Sequence, residues 1–387
     1  MTLGLSARTL ARNSFEAAFE APAFVRAMLD FEAALAEAEA AEGIIPAESA
    51  NAIRKACASI EIDVEALVAE GKRSATLVVP LVKMLAAEVS RLSSSAAQHL
   101  HYGATSQDVL DTATALCLKP CLAETDHVLE ATVRALVRRA REHQATPMLG
   151  RTLMQPALPI TAGLKIARWA LALAQDRERL SNARKSALAL QLGGPVGTLG
   201  ALGANAGAVR KQVAATLALA DTLAWHVHRG DWLTLLESTG HVVLTTGKIA
   251  RDVALLSQPE VGEMLEATPR AGAGASSSMP HKRNPAGCAQ ALAAATRMPG
   301  LLSTLYVASI AEHERALGGW QAELAIVPDI AGVLGMSLDF LETIASSLVI
   351  NADRMRANLE AYGEVDADLD ALGPALGEIF ERLGDYS

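Results

Sequence analysis

Between residues 24 and 41 apolar side chains return every three or four positions, and Gly43 and Pro46 close the run. That spacing predicts an amphipathic helix with one buried stripe. The same period predicts shorter helices over 47–60, 64–69 and 77–92. Long ones follow over 107–143, 159–190, 231–256, 285–314 and 321–349, with Pro120 expected to bend or interrupt the first of these. No segment alternates long enough to suggest a substantial sheet, so the expected class is all-α. Helices longer than about 25 residues with Ala/Leu-rich faces suggest a bundle shared between chains.

Composition agrees with this pattern. Hydrophobic residues make up 51% of the 387 and charged residues only 20%, enough for a large core in two or three compact units. Aromatics are only 4%, so helix contacts through small side chains are expected. The net charge is −9, from 34 basic against 43 acidic residues, and no basic block is present. Nucleic acid is therefore not an expected partner. Local cations such as Lys282, Arg283 and Arg315 still leave an anionic substrate open. The first 21 residues lack a leader-like apolar core, and no apolar run of roughly 18 residues stands out for a membrane span. With four scattered cysteines, Cys57, Cys117, Cys121 and Cys288, the expected location is cytoplasmic.

Candidate chemistry is concentrated in Gly274-Ala275-Ser276-Ser277-Ser278-Met279-Pro280-His281-Lys282-Arg283-Asn284-Pro285. Small residues and three serines cannot form core, and they bring hydroxyls beside a lysine and an amide; the segment reads as a catalytic lid. A second candidate is His101-Tyr102-Gly103-Ala104-Thr105-Ser106-Gln107-Asp108, where a loop opens a helix and free N–H groups meet two hydroxyls. An ordinary helix cap accounts for it equally well. The turn-rich Gly193–Gly200 stretch does not follow a strand and is not G-x-G-x-x-G, so a dinucleotide site is rejected. His99 with His101 and His226 with His228 form His-x-His pairs, but no third ligand falls at a suggestive spacing, and no metal is expected.

The order Ser-Ser-x-Met-Pro-x-Lys-x-Asn resembles the signature loop of the fumarase/aspartase superfamily, enzymes that add or eliminate a group beta to a carboxylate. The resemblance implies a homotetramer with sites assembled from different subunits. It implies that Ser276 moves the proton alpha to a carboxylate, while Lys282, Asn284 and Ser277 bind substrate. Thr105 and Ser106 then map onto a carboxylate-binding pair, with His101 lining the site. The segment Gly150–Pro159 resembles a second signature, which places Arg151 and Gln155 among substrate-binding residues. It also implies domains at 1–104, 105–348 and a shortened helical segment at 349–387.

Two departures select among reactions. Leu153 stands where amine-releasing relatives carry a histidine that protonates the leaving nitrogen. A carboxylate leaving group needs no such proton, because its unperturbed pKa is about 4. Trp320 and Leu324 stand where nucleotide-binding relatives carry phosphate-holding residues, although Arg315 remains for a carboxylate. Phe31–Ala36, Lys248–Leu256 and Glu260–Glu263 are further segments similar to the cycloisomerase branch of the superfamily. The expected reaction is cofactor-free lactonisation of a small tricarboxylate, 3-carboxy-cis,cis-muconate, with the proton donor open between Ser276, Lys282 and His101. An amine lyase and an inactive scaffold are the rivals.

Overall fold

The computed structural model describes residues 12–267, 274–276, 278, 279, 281–363 and 369–386. Its architecture is all-α, with two short hairpin-like pairings. An N-terminal layer comprises α1 (Asn13–Ala18), α2 (Ala21–Ala41), α3 (Ala47–Ser59), α4 (Val64–Ser74) and α5 (Val78–Leu92). The long elements are α6 (Ser106–Glu142), α7 (Ala162–Ala187), α9 (Gly230–Leu256), α10 (Ala286–Ala308) and α11 (Gly319–Ser347), with the shorter α8 (Ala206–Leu217) packed on α2. The long five pack on one another as a bundle.

Local signals explain where these helices start. Asp63 Oδ1 accepts from Ala66 N at 3.0 Å and Thr161 Oγ1 from Leu164 N at 3.0 Å, satisfying amides that the first helical turn leaves unpaired. Of the two expected effects of Pro120, interruption does not occur: proline removes one i→i−4 bond but leaves the flanking ones, and α6 continues through it against its packed neighbours. Small residues let axes approach closely. A Cβ on Gly247 of α9 would lie 2.4 Å from Ala295 Cβ of α10, so any side chain there forces the two helices apart.

The core runs the length of the bundle, with Trp232, Phe340, Leu236 and Leu334 fully buried. Each such side chain contributes about 1.5–3 kcal/mol relative to exposure. By length and composition α11 meets the test for a membrane-crossing helix, an apolar stretch that the sequence reading passed over. Because 67% of its apolar window is buried against neighbouring helices, it is a core helix of the bundle.

The stretch expected to open a helix at Pro159 instead forms an antiparallel hairpin, β1 (Pro147–Thr152) with β2 (Gln155–Thr161), which leads directly into α7. A second pair, β3 (Met264–Glu266) with β4 (Leu348–Ile350), joins the end of α11 to the segment after α9. Two helices follow, α12 (Ala352–Ala361) and α13 (Gly373–Arg382).

Candidate active site

The start of α6 is built by residues far apart in sequence. Asp108, fully buried, accepts from Thr105 N at 3.1 Å, Gly193 N at 2.9 Å, Gly194 N at 2.9 Å and Gln191 Nε2 at 2.8 Å. Burial raises its pKa to about 6 in spite of these four bonds, each of which favours the carboxylate. Gly194 has φ of +70°, and a Cβ there would sit 2.7 Å from Gly103 O; the Gly193–Gly200 turn is thereby seated on the loop before α6. Arg315 joins the same cluster, donating to Gln107 Oε1 at 3.2 Å and Pro195 O at 3.0 Å. Thr105, Ser106, Arg315 and the glycine turn therefore stand together within one chain.

Below them lies a buried ionic triad. Arg229 forks onto Asp111 at 2.7 and 3.2 Å and also onto Glu323, with all three at most 6% exposed. Its guanidinium stacks 4.3 Å from the Trp225 ring centroid. Trp320, weighed in the sequence as a site position, is 6% exposed and belongs to this core.

His101 lies on the same side of the molecule. Its Nδ1 is 2.6 Å from Glu32 Oε1 on α2, and its backbone has φ of 60°. Burial pulls this imidazole towards neutrality, but the charge and hydrogen bond of Glu32, helped by Asp108, outweigh that and raise its pKa. His99 takes a different role, bonding Ser49 Oγ at 3.2 Å.

The Ser276 loop is arranged differently. It closes on itself through an Ala275–Arg283 bridge and a bond from Asn284 N to Gly274 O at 2.8 Å. Ser276 Oγ accepts from Met279 N at 3.2 Å and Ser278 N at 3.4 Å. Two amide donors on one hydroxyl oxygen favour its anionic form. Lys282 is exposed, while Ser276 and Asn284 are half-buried. Ser277, expected among the substrate-binding residues, lies outside the described residues. The amides of Gly287 and Cys288 at the start of α10 are taken by Glu266 at 2.9 and 2.8 Å, so that helix end is already neutralised from within.

The hairpin carries the second signature. Leu153 and Met154 form its two-residue tip with φ of 48° and 65°, a conformation that Asn and Gly adopt far more readily. Leu153 is 96% exposed and Gln155 beside it is also exposed. Arg151, expected to bind substrate, is bidentate to the buried Glu263 at 2.8 and 2.7 Å. Asn358 Nδ2 adds a bond to the same carboxylate at 2.8 Å. A fully buried carboxylate needs such a partner, so Arg151 anchors the hairpin to the α12 region. Within one chain the described residues do not join the hairpin tip to the α6 start by any hydrogen bond or ion pair.

Sequence reasoning missed Glu32, Asp108 and Glu263 as organising carboxylates. A signal existed for the first: Glu32 and Glu39 fall two turns apart on the apolar stripe of α2, where acids are rarely placed without a partner.

A lyase family model matches residues 8–300. The 3-carboxy-cis,cis-muconate cycloisomerase of Bradyrhizobium diazoefficiens is 42% identical over 382 residues, covering 98% of this chain and 83% of that protein. A nitrosuccinate lyase of Streptomyces davaonensis is 39% identical over 93% of this chain and 77% of that one. Among solved structures, a 3-carboxy-cis,cis-muconate lactonizing enzyme from Pseudomonas putida matches with a TM-score of 0.86 and 36% identity, covering 99% of this chain and 88% of the other.

Proposed function

The chain belongs to the lyase family of the fumarase/aspartase superfamily, and on that premise we propose that it closes 3-carboxy-cis,cis-muconate to 4-carboxymuconolactone, without a cofactor, in protocatechuate breakdown. One substrate carboxylate attacks the conjugated double bond. As the C–O bond forms, the π pair moves onto the carbon alpha to a second carboxylate, and a proton from the site quenches it.

The hairpin tip is the observation that carries this choice of reaction. Leu153 and Met154 carry no acidic proton, and Arg151 is paired with Glu263, which supports a leaving group that departs, in the reverse direction, as a stable anion. The lactone's carboxylate meets that condition and an amine does not. Ser276 is assigned the proton transfer, because the two amides on its Oγ support the alkoxide left after donation. Lys282 and Asn284 are assigned to the carboxylate that carries the extra charge. Thr105, Ser106, His101 and Arg315 are assigned to the others, and Gln155 reaches substrate from the hairpin.

The protein acts as a cytoplasmic homotetramer in this reading. An exposed, strained and apolar tip is what a segment docking on another copy would carry, and the four cysteines are free and buried.

The same tip favours a second reading, release of nitrite from nitrosuccinate, since nitrite also leaves unprotonated and a 39%-identical relative is named for that substrate. The test is a spectrophotometric assay of carboxymuconate loss run beside adenylosuccinate, argininosuccinate and nitrosuccinate. Carboxymuconate turnover is expected to dominate. Activity confined to a succinyl adduct overturns the proposal, and nitrite release alone puts the second reading in its place.

A further inference from the structure

Glu32 is 1% exposed in the middle of α2, surrounded by apolar side chains. Among the described residues its one hydrogen-bond partner is His101 Nδ1, and its Oε2 is buried without any. Desolvating a carboxylate this far is costly unless a cation faces it. Of the charged groups near the pair, Arg26 on α2 is exposed, paired with Asp30 at 2.9 Å and donating to Cys57 O at 2.8 Å. Glu39, two turns along α2, is fully buried with both oxygens unpartnered. Cys57 on α3 is a buried thiol, and Asp108 on α6 is an acid. Among the described residues the His101 ring is the one possible cation bonded to Glu32.

With Nδ1 committed to Glu32, the group His101 has left to offer is Nε2–H. The residue stands four positions before Thr105, on the loop that Gly194 and Asp108 hold against the start of α6. Its left-handed backbone, rare for a residue with a side chain, is kept by those contacts. We propose that Glu32 is a positioning residue: through His101 Nδ1 it holds the ring in one orientation as a cation, so that Nε2–H binds a substrate carboxylate at the start of α6. This rests on the reaction proposed above. Glu32 itself touches no substrate.

Glu32→Gln separates the two parts of the claim, since the amide oxygen still accepts from Nδ1–H but the charge is gone. In substrate-free protein, ring C–H resonances assigned by comparison with His101→Gln should titrate at lower pH in Glu32→Gln than in the parent protein. The pH at which KM for carboxymuconate begins to rise should fall by at least about one unit, a tenfold weaker binding at pH 8, with kcat changed far less. The double variant Glu32→Gln/His101→Gln should bind no worse than His101→Gln alone. A role in folding alone would raise KM equally at every pH and leave the titration in place, which overturns the inference. So would additive losses in the double variant. A shifted ring titration in a protein that does not turn over carboxymuconate supports the charged pair and overturns the reaction instead.

Discussion

The loop that opens α6 and the loop that precedes α10 both carry signature residues, yet the chain holds them in opposite ways. The first is fixed by its own Asp108 and by Gln191, Gly194 and Arg315, drawn from two other parts of the sequence and mostly buried. The second is closed by bonds between its own ends, with Lys282 in solvent. Groups that receive charge work best when their dipoles are set before substrate arrives, whereas a group that delivers a proton must be reachable. Rigidity and access are divided between the two loops.

The sharpest way to break this comparison is at the second loop. Ser276→Ala is expected to lower kcat about a thousandfold or more, with the melting temperature unchanged, because among the described residues the hydroxyl bonds only its own loop. Near-normal turnover removes Ser276 from the mechanism. At the first loop the same kind of truncation should act on stability. Arg229→Ala leaves Asp111 and Glu323 buried without their cation and should cost about 3–5 kcal/mol in chemical denaturation. A loss below about 1 kcal/mol would show that this frame is not held by the triad.

A further effect concerns the acid buried two turns along α2 from Glu32. Burial, reinforced by the charge of Glu32, pushes Glu39 up to about 8 from its ordinary 4.5. The folded state therefore keeps a proton that the unfolded chain releases. Stability from this group is full below about pH 4.5 and is lost as pH climbs to about 8. Glu39→Gln should flatten that decline, gaining a few kcal/mol at pH 8 and little at pH 5. An equal gain at both values would show that Glu39 is not titrating in this window.

Most helices were legible in the sequence because their stripes repeat over many turns. The spacing predicted 231–256 and Gly230–Leu256 is observed; 321–349 appears as Gly319–Ser347. The hairpin was not legible. Pro156 and Pro159 masked a short alternation, and a tip built from Leu153 and Met154 lacks the Asn-Gly signal that such turns usually carry. The α8 segment, rich in alanine, gave too weak a stripe to be read.

Residue by residue, the site divides in the same way. Ser276, Lys282 and Asn284 are neighbours along the chain, so their order alone exposed their chemistry. Arg151 carried the same formal promise as any arginine in a signature segment, but its partner Glu263 is 112 positions away. What the sequence by itself determined was the helical class, the signature loops and the missing proton donor at Leu153, because periodicity and side-chain type are local properties. Only the tertiary structure decided which charges are spent on each other: Arg151 on Glu263, Arg229 on Asp111 and Glu323, and His101 on Glu32. The reason is physical, since the cost of burying a charge depends on what packs beside it, and helix packing alone brings those partners together.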